Sequence, residues 1–158
     1  MRVGHGYDVH ALGPGDHVIL GGVRIAHDHG LVAHSDGDVV IHALCDALLG
    51  AAGLADIGTL FPDSETVHAG RNSRFFLEEV RRRIAKEGYC VQNADMTIIA
   101  QAPRLADSIG AMRANLADAL QIKVRDVNVK ATTHEGLGAL GRAEGIAAHA
   151  VVLLGART

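Results

Sequence analysis

Gly4-His5-Gly6-Tyr7-Asp8-Val9-His10 opens the chain, and apolar alternation around Val3, Tyr7 and Val9 reads residues 1–11 as a strand. Residues two apart on a strand share a face, so Asp8 and His10 project side by side. Further on, His34-Ser35-Asp36-Gly37-Asp38 leads into an apolar stretch, Asp38 to Ala52, with helical periodicity. Ser35 or Asp36 suits the cap of that helix, and carboxylates in its first turn suit the dipole. Asp38, His42 and Asp46 recur at i, i+4 and i+8 on one face, while Val39, Ile41, Leu44, Leu48 and Leu49 fill the others. His10, His42 and Asp8 therefore offer two imidazoles and a carboxylate. These are three ligands that zinc accepts, leaving the fourth position that catalytic zinc keeps open.

Working outward, His17–Leu20 and Val23–Ala26 flank Gly21-Gly22, the two-residue spacing of a β-hairpin. Ala55 to Asp63 reads as a loop. Ser73 reads as the cap of a helix to about Glu87, with Phe76, Leu77, Val80 and Ile84 as its buried stripe and Gly88 as its stop. Asp95 to Gln101 reads as a strand broken by Ala102-Pro103, and a helix follows from about Leu105 to Leu120. Val127 to Thr132 is a further strand. A glycine-rich loop, Glu135 to Gly141, leads into a closing strand, Ile146 to Leu154. Strands and helices alternate without internal repeats, which predicts one α/β or α+β domain over residues 1–158.

Composition narrows the function classes. A net charge of −3 lacks the basic excess of a nucleic-acid binder. No apolar run is long enough to cross a bilayer, and nothing at Met1-Arg2-Val3 reads as a leader, so a cytoplasmic protein without a membrane partner is expected. Aromatics make up only 3% of the chain, so aliphatic packing must build the core. Cys45 and Cys90 form no paired motif and read as buried free thiols.

Other segments carry parts for holding phosphate and hydroxyls. His34-Ser35 precedes a helix, where free N–H groups and the dipole favour an anion. Asp56-Ile57-Gly58 and Phe61-Pro62-Asp63 set two carboxylates on a short loop, suited to polyol hydroxyls. Ala100 to Leu105 joins a strand end to a helix with small residues that let a planar ring approach, and Arg104 suits a phosphate. Thr132-Thr133-His134-Glu135 ends a strand with two hydroxyls and a carboxylate fit for a hard divalent cation. Arg142 and Glu144 read as an ion pair, or as a charged cluster at a subunit interface. Each segment also has a plain reading as a cap, a turn or a solvated loop.

Six ordered motifs decide between these readings: His-Gly-x-Asp-Val-His at 5–10, Ala-His-Ser-Asp-Gly-Asp at 33–38, Leu-Phe-Pro-Asp at 60–63, Thr-Ile-Ile-Ala-Gln-Ala-Pro at 97–103, Asn-Val-Lys-Ala-Thr-Thr at 128–133, and Glu-Gly-Ile-Ala at 144–147. Over essentially its whole length the chain resembles the 2-C-methyl-D-erythritol 2,4-cyclodiphosphate synthase family, lyases of non-mevalonate isoprenoid biosynthesis.

The resemblance implies an α+β fold: a mixed four-stranded sheet with helices on one face and a projecting hairpin, assembled as a homotrimer with sites between subunits. It implies one zinc per subunit on Asp8, His10 and His42. Magnesium or manganese is implied on Glu135, with the substrate diphosphate. Phosphate-positioning residues fall on His34, Ser35 and Thr133, with His34 and Thr133 in catalytic roles. Polyol contacts fall on Asp56 and Asp63, within a substrate loop that includes Ile57, Gly58 and Phe61. The cytidine pocket falls, in the adjoining subunit, on the turn with Ala100, Pro103, Arg104, Leu105 and Ala106 together with Thr132 and Thr133, and Arg142 completes the substrate-binding set.

The implied reaction turns 4-diphosphocytidyl-2-C-methyl-D-erythritol 2-phosphate into the cyclic diphosphate and CMP. It proceeds by attack of the substrate's own 2-phosphate, so no protein nucleophile is needed. Arg104, His134, Ala139 and Ala143 depart from the expected pattern, which has lysine, a small polar residue, an aromatic and glycine there. The rival enzymatic reading is a zinc phosphohydrolase, and the non-enzymatic one is a trimeric zinc-binding or phosphate-sensing protein.

Overall fold

The computed structural model describes residues 1–62 and 71–157. Seven strands and five helices are described: β1 (Arg2–Gly13), β2 (His17–Leu20), β3 (Val23–Ala26), β4 (Gly30–Leu31), α1 (Val39–Ala52), α2 (Ile57–Leu60), α3 (Ser73–Lys86), β5 (Tyr89–Ile99), α4 (Ile109–Leu120), β6 (Val127–Thr132), α5 (Gly138–Gly141) and β7 (Gly145–Ala156). The main sheet has the order β4-β1-β7-β5-β6, and β2 with β3 forms a separate hairpin. Only β5 and β6 run parallel, with α4 as their crossover, so the sheet is mixed and the class is α+β.

The sheet is five-stranded rather than four-stranded. The added strand is the two-residue β4, which pairs Leu31 and Gly30 with Leu12 and Gly13 at the far end of β1. So short a segment leaves no alternating pattern in the sequence. Likewise β5 begins at Tyr89, ahead of the expected Asp95. Polar Gln92 and Asn93 obscure its alternation, and a register irregularity lies between Val91 and Asn93. The loop at 55–63 contains the single turn α2, and the glycine-rich loop contains α5. Cys45 is buried as expected, but Cys90, near the start of β5, is only half-buried.

Helices cover one face of the sheet. Met96 and Ile98 of β5, Val127 and Val129 of β6, and Ile146, Ala148, Ala150, Val152 and Leu154 of β7 pack there against α1, α3 and α4. The opposite face carries Val3, His5, Tyr7 and Val9 of β1 with Val151 of β7. The apolar ones among these are 44% to 70% exposed, a large share of apolar surface for the face of a sheet.

Two glycine pairs shape the region around the site. Gly21 and Gly22 take φ +56° and +73°, the double positive φ of a primed hairpin turn. Gly4 and Gly6 let α1 settle directly on β1. A Cβ on Gly4 would stand 1.9 Å from the Ala47 carbonyl oxygen, and one on Gly6 would stand 1.9 Å from that of Ala43. Both obstacles are backbone, so neither yields by a rotamer change. Gly6→Ala is expected to lower unfolding free energy by about 2–3 kcal/mol, the upper range for overpacking. Urea unfolding checks this, and an unchanged midpoint would mean that α1 moves freely.

Candidate active site

Asp8 and His10 follow Gly4 and Gly6 on the helix-facing side of β1. The close seat of α1 brings His42 over them. Asp8 Oδ2 lies 3.0 Å from His42 Nδ1 and 3.1 Å from His10 Nε2, and the two nitrogens are 3.1 Å apart. Ligands about 2.0–2.1 Å from a tetrahedral zinc stand about 3.3–3.4 Å from one another. The three atoms thus already outline one face of such a tetrahedron. Their side chains are 14% to 25% exposed, which leaves the outer side open.

Burial alone would raise the Asp8 pKa, but hydrogen bonds and charge from His10 and His42 outweigh it and hold the carboxyl well below its usual range. Burial pulls the His42 imidazole down, yet the Asp8 carboxylate, helped by the Asp38 and Asp36 charges, raises its pKa overall. The two shifts report a tightly paired carboxylate and imidazoles, with the Asp38 and Asp36 charges adding a negative field at His42 that favours a cation there. A divalent cation satisfies that demand more fully than a proton does.

The far side of His42 is fixed by a relay. Ser73 donates its hydroxyl to Asp36 Oδ1 and its backbone N–H to Asp36 Oδ2 at 2.9 Å. With that hydrogen committed, Ser73 Oγ accepts from His42 Nε2 at 3.0 Å. Without an ion, His42 Nδ1–H donates to the Asp8 carboxylate at 3.0 Å. Because Ser73 holds the proton on Nε2, Nδ1 is the nitrogen that would give up its proton to ligate a metal. Ser35 Oγ lies 3.2 Å from the same Nε2.

Ser73, His42 and Asp8 also have the connectivity of a serine nucleophile triad. Ser73 has no exposed surface and its hydroxyl is engaged, so the arrangement orients a ligand and attacks nothing. Ser73→Ala should weaken zinc binding by roughly tenfold, the low end for such outer partners because Ser35 remains. Competition with a chromophoric chelator measures this, and an unchanged affinity would remove Ser73 from the relay.

The sequence reading placed Ser73 only as a helix cap, whereas Asn72 caps α3 by accepting from Arg74 N–H. Asp38, not Ser35 or Asp36, caps α1. Its buried carboxylate accepts from Val40 and Ile41 N–H, both at 3.1 Å, and from Gly21 and Gly22 N–H at 2.9 and 2.7 Å. Two amides that an anion at the helix start would use are therefore taken, and His34 and Ser35 offer their side chains instead. The signal for Asp38 was the glycine turn in the hairpin, but nothing in the sequence says that this turn reaches α1.

Asp56 caps α2, accepting from Thr59 N–H at 2.7 Å, and that bond holds its carboxyl below the usual range. Asp46 accepts from Ile57 N–H at 2.8 Å, tying the Asp56 turn with Ile57 and Gly58 to α1. Burial raises its pKa. Phe61 packs on Phe76, ring centroids 4.9 Å apart. Asp63 lies outside the described residues.

The remaining site residues gather at the other side of the sheet. Ala100 N–H donates to the Thr132 carbonyl at 3.0 Å, so the Ala100–Ala106 turn and the Thr132–Glu135 segment lie side by side at the carboxyl ends of β5 and β6. Ala100 and Leu105 are buried and offer only backbone, while Arg104 and Ala106 are exposed and Pro103 is half-buried. Thr133 Oγ1 donates to Glu135 at 3.4 Å and accepts from Glu135 N–H at 3.2 Å. His134 Nδ1 lies 3.1 Å from the Leu137 carbonyl. Arg142 pairs with Glu144 at 2.6 Å, the ion pair expected. Ala143, where glycine was expected, takes φ +56° and bears the roughly 1–2 kcal/mol that this region costs a residue with a Cβ.

β1 and β6 are separated by β7 and β5, three strand spacings or about 14 Å. Within one chain the Asp8–His10–His42 trio and the Arg104–Thr133–Glu135 group thus stand as two separate clusters. Among the described residues no helix is long and apolar enough to cross a membrane.

Comparison with known proteins gives the family. Residues 1–155 match the model of the YgbB family. The chain is 61% identical to 2-C-methyl-D-erythritol 2,4-cyclodiphosphate synthase of Thioalkalivibrio sulfidiphilus, over 98% of this chain and 96% of that one. Among solved structures, the CDP complex of Plasmodium falciparum IspF superposes with a TM-score of 0.87 at 37% identity, covering 99% of this chain and 97% of that one. The bifunctional IspDF of Campylobacter jejuni superposes with a TM-score of 0.93 at 44% identity over 97% of this chain, which spans only 42% of that longer protein. The chain belongs to the YgbB family, the 2-C-methyl-D-erythritol 2,4-cyclodiphosphate synthases.

Proposed function

We propose that the chain converts 4-diphosphocytidyl-2-C-methyl-D-erythritol 2-phosphate into 2-C-methyl-D-erythritol 2,4-cyclodiphosphate and CMP. The observation that carries this reading is the Asp8–His10–His42 trio, whose ligand atoms already have nearly tetrahedral spacing and an open outer side. Zinc held there supplies a Lewis acid for a phosphate oxygen. The 2-phosphate is already an anionic nucleophile, so the residues need only position groups and balance charge. His34 and Ser35 brace the phosphate nearest the trio, with Thr133 on the opposing side. Asp56 and Asp63 hold the polyol hydroxyls and so bend the substrate toward attack geometry. Orientation of this kind is worth up to about 7–11 kcal/mol of barrier.

The nucleotide end belongs to the second cluster. Ala100, Pro103, Leu105 and Ala106 present backbone to the cytosine ring, Thr132 and Thr133 hold phosphate oxygens, and Arg104 meets the leaving CMP. Glu135 holds magnesium or manganese against the diphosphate. The solved P. falciparum relative carries CDP, which supports a cytidine diphosphate ligand here.

Two half-sites about 14 Å apart on one chain call for a neighbour to close the gap. The exposed apolar sheet face of Val3, Tyr7, Val9 and Val151 is the surface that such a neighbour covers. The assembly proposed is a homotrimer, each site joining one subunit's trio to the next subunit's Thr133 and Arg104.

The test is one reaction in oxygen-18 water with the cytidylated substrate, zinc and magnesium, read by mass spectrometry. CMP with an unlabelled cyclic diphosphate is expected. A labelled linear product would replace the cyclase with a phosphohydrolase.

A further inference from the structure

A second set of the same donor chemistry sits in the turn between β3 and β4. His27 Nδ1 and His29 Nδ1 lie 3.2 and 3.0 Å from one oxygen, Asp28 Oδ1, and the three ligand atoms all fall within 4.8 Å of one another. The active-site trio repeats this pattern of two imidazole nitrogens on one carboxylate oxygen, at 3.1 and 3.0 Å. In both places the imidazole-to-carboxylate spacing approaches the roughly 3.3 Å edge of a tetrahedral ion.

The turn also has the anchoring a site needs. The His27 side chain is only 13% exposed, and its backbone N–H donates to the Asp16 carbonyl at 3.2 Å. Asp28 and His29 are 81% and 53% exposed, which leaves the remaining coordination positions to water. The two rings stand 5.8 Å apart and inclined by 50°, converging on the carboxylate rather than stacking. Hydrogen bonds at so exposed a carboxylate stabilise little in themselves, so they do not account for the convergence of both rings.

We infer that His27, Asp28 and His29 form a second divalent metal site, separate from the active-site trio. Two imidazoles and one carboxylate select borderline ions such as Zn²⁺, Ni²⁺ or Cu²⁺ over Mg²⁺ and Ca²⁺, which take oxygen shells. Its exposure makes this the weaker of the two sites. Occupancy clips β3 to β4, and so stiffens the start of the segment that carries His34 and Ser35. The inference does not depend on the proposed reaction.

The experiment equilibrates the whole protein with zinc alone and counts metal per chain by elemental analysis. The proteins compared are wild type, the double variant His27→Ala/His29→Ala, and His42→Ala. Two ions in wild type, falling to one in the double variant with turnover unchanged, is the expected result. One ion in wild type that the double variant loses supports the turn site and instead removes the trio. An ion count that the double variant leaves unchanged overturns the inference, whatever His42→Ala does. Excess magnesium should displace none of the turn-bound zinc, and displacement would equally overturn it.

Discussion

Asp8→Asn lowers the rate of CMP release by roughly 1,000-fold while the chain remains folded. The asparagine keeps the shape and the Val9 N–H contact of Asp8, made at 2.9 Å. It loses the negative charge that holds His10 and His42 together and that a cation would neutralise. A bound metal ion contributes several kcal/mol of transition-state charge stabilisation, and about 4 kcal/mol corresponds to that factor in rate. Steady-state turnover and zinc content are to be measured together. Partial rescue by excess zinc is expected, because the loss is one of metal affinity. Full activity with undiminished zinc would dismiss the trio as the metal ligands.

Asp38→Ala has the largest expected effect on stability, about 2–4 kcal/mol. The substitution removes the cap of α1, typically worth about 1 kcal/mol. It also strips the acceptor from the buried Gly21 amide, at about 1–3 kcal/mol, whereas the Gly22 amide is exposed enough for water to take over. A shift of the urea midpoint checks it, and a loss under 1 kcal/mol would mean that water replaces the carboxylate. Asp38→Asn separates charge from shape.

Burial, with the Asp36 charge adding to it, pushes the Asp38 pKa up to about 6 against the pull of the Gly22, Gly21 and Ile41 amides. An unfolded aspartate titrates near 3.9, so folding takes up a proton between about pH 4 and 6. The native state binds the extra proton, so this share of stability is whole below about pH 4 and is lost as pH rises through 6. Its slope is at most about 1.4 kcal/mol per pH unit. The difference between wild type and Asp38→Asn should carry that slope, and a flat difference would show Asp38 titrating normally.

Much of this was legible in the sequence because it rests on periodicity. Alternation put Asp8 and His10 on one face, and the helical repeat presented His42 on a polar stripe, so each ligand was legible locally. That His42 meets Asp8 and His10 depends on how α1 docks on Gly4 and Gly6, which the family resemblance implied and periodicity does not carry. The contacts the reading missed join segments far apart in the chain: Asp38 with Gly21 and Gly22, and Asp36 with Ser73. Asp, Ser and Gly near a helix start are ordinary caps and turns, and their long-range partners leave no periodic trace. β4 escaped for another reason, since two residues pairing at Leu12 and Gly13 carry no pattern at all.

The bare backbone contact between β1 and α1 decides what sets the metal's geometry. Main chain rests on main chain at Gly4 and Gly6, so the span from Asp8 and His10 to His42 is a property of two rigid elements in touch. The residues of α1 that meet the two glycines are Ala43, Ala47 and Ala51, none of which carries a large side chain into that seam. The interior can therefore drift through many aliphatic combinations, gaining or losing heat tolerance, without retuning the ion's coordination. Thermal stability and metal selectivity become independently adjustable traits, coupled only through two positions that admit no side chain.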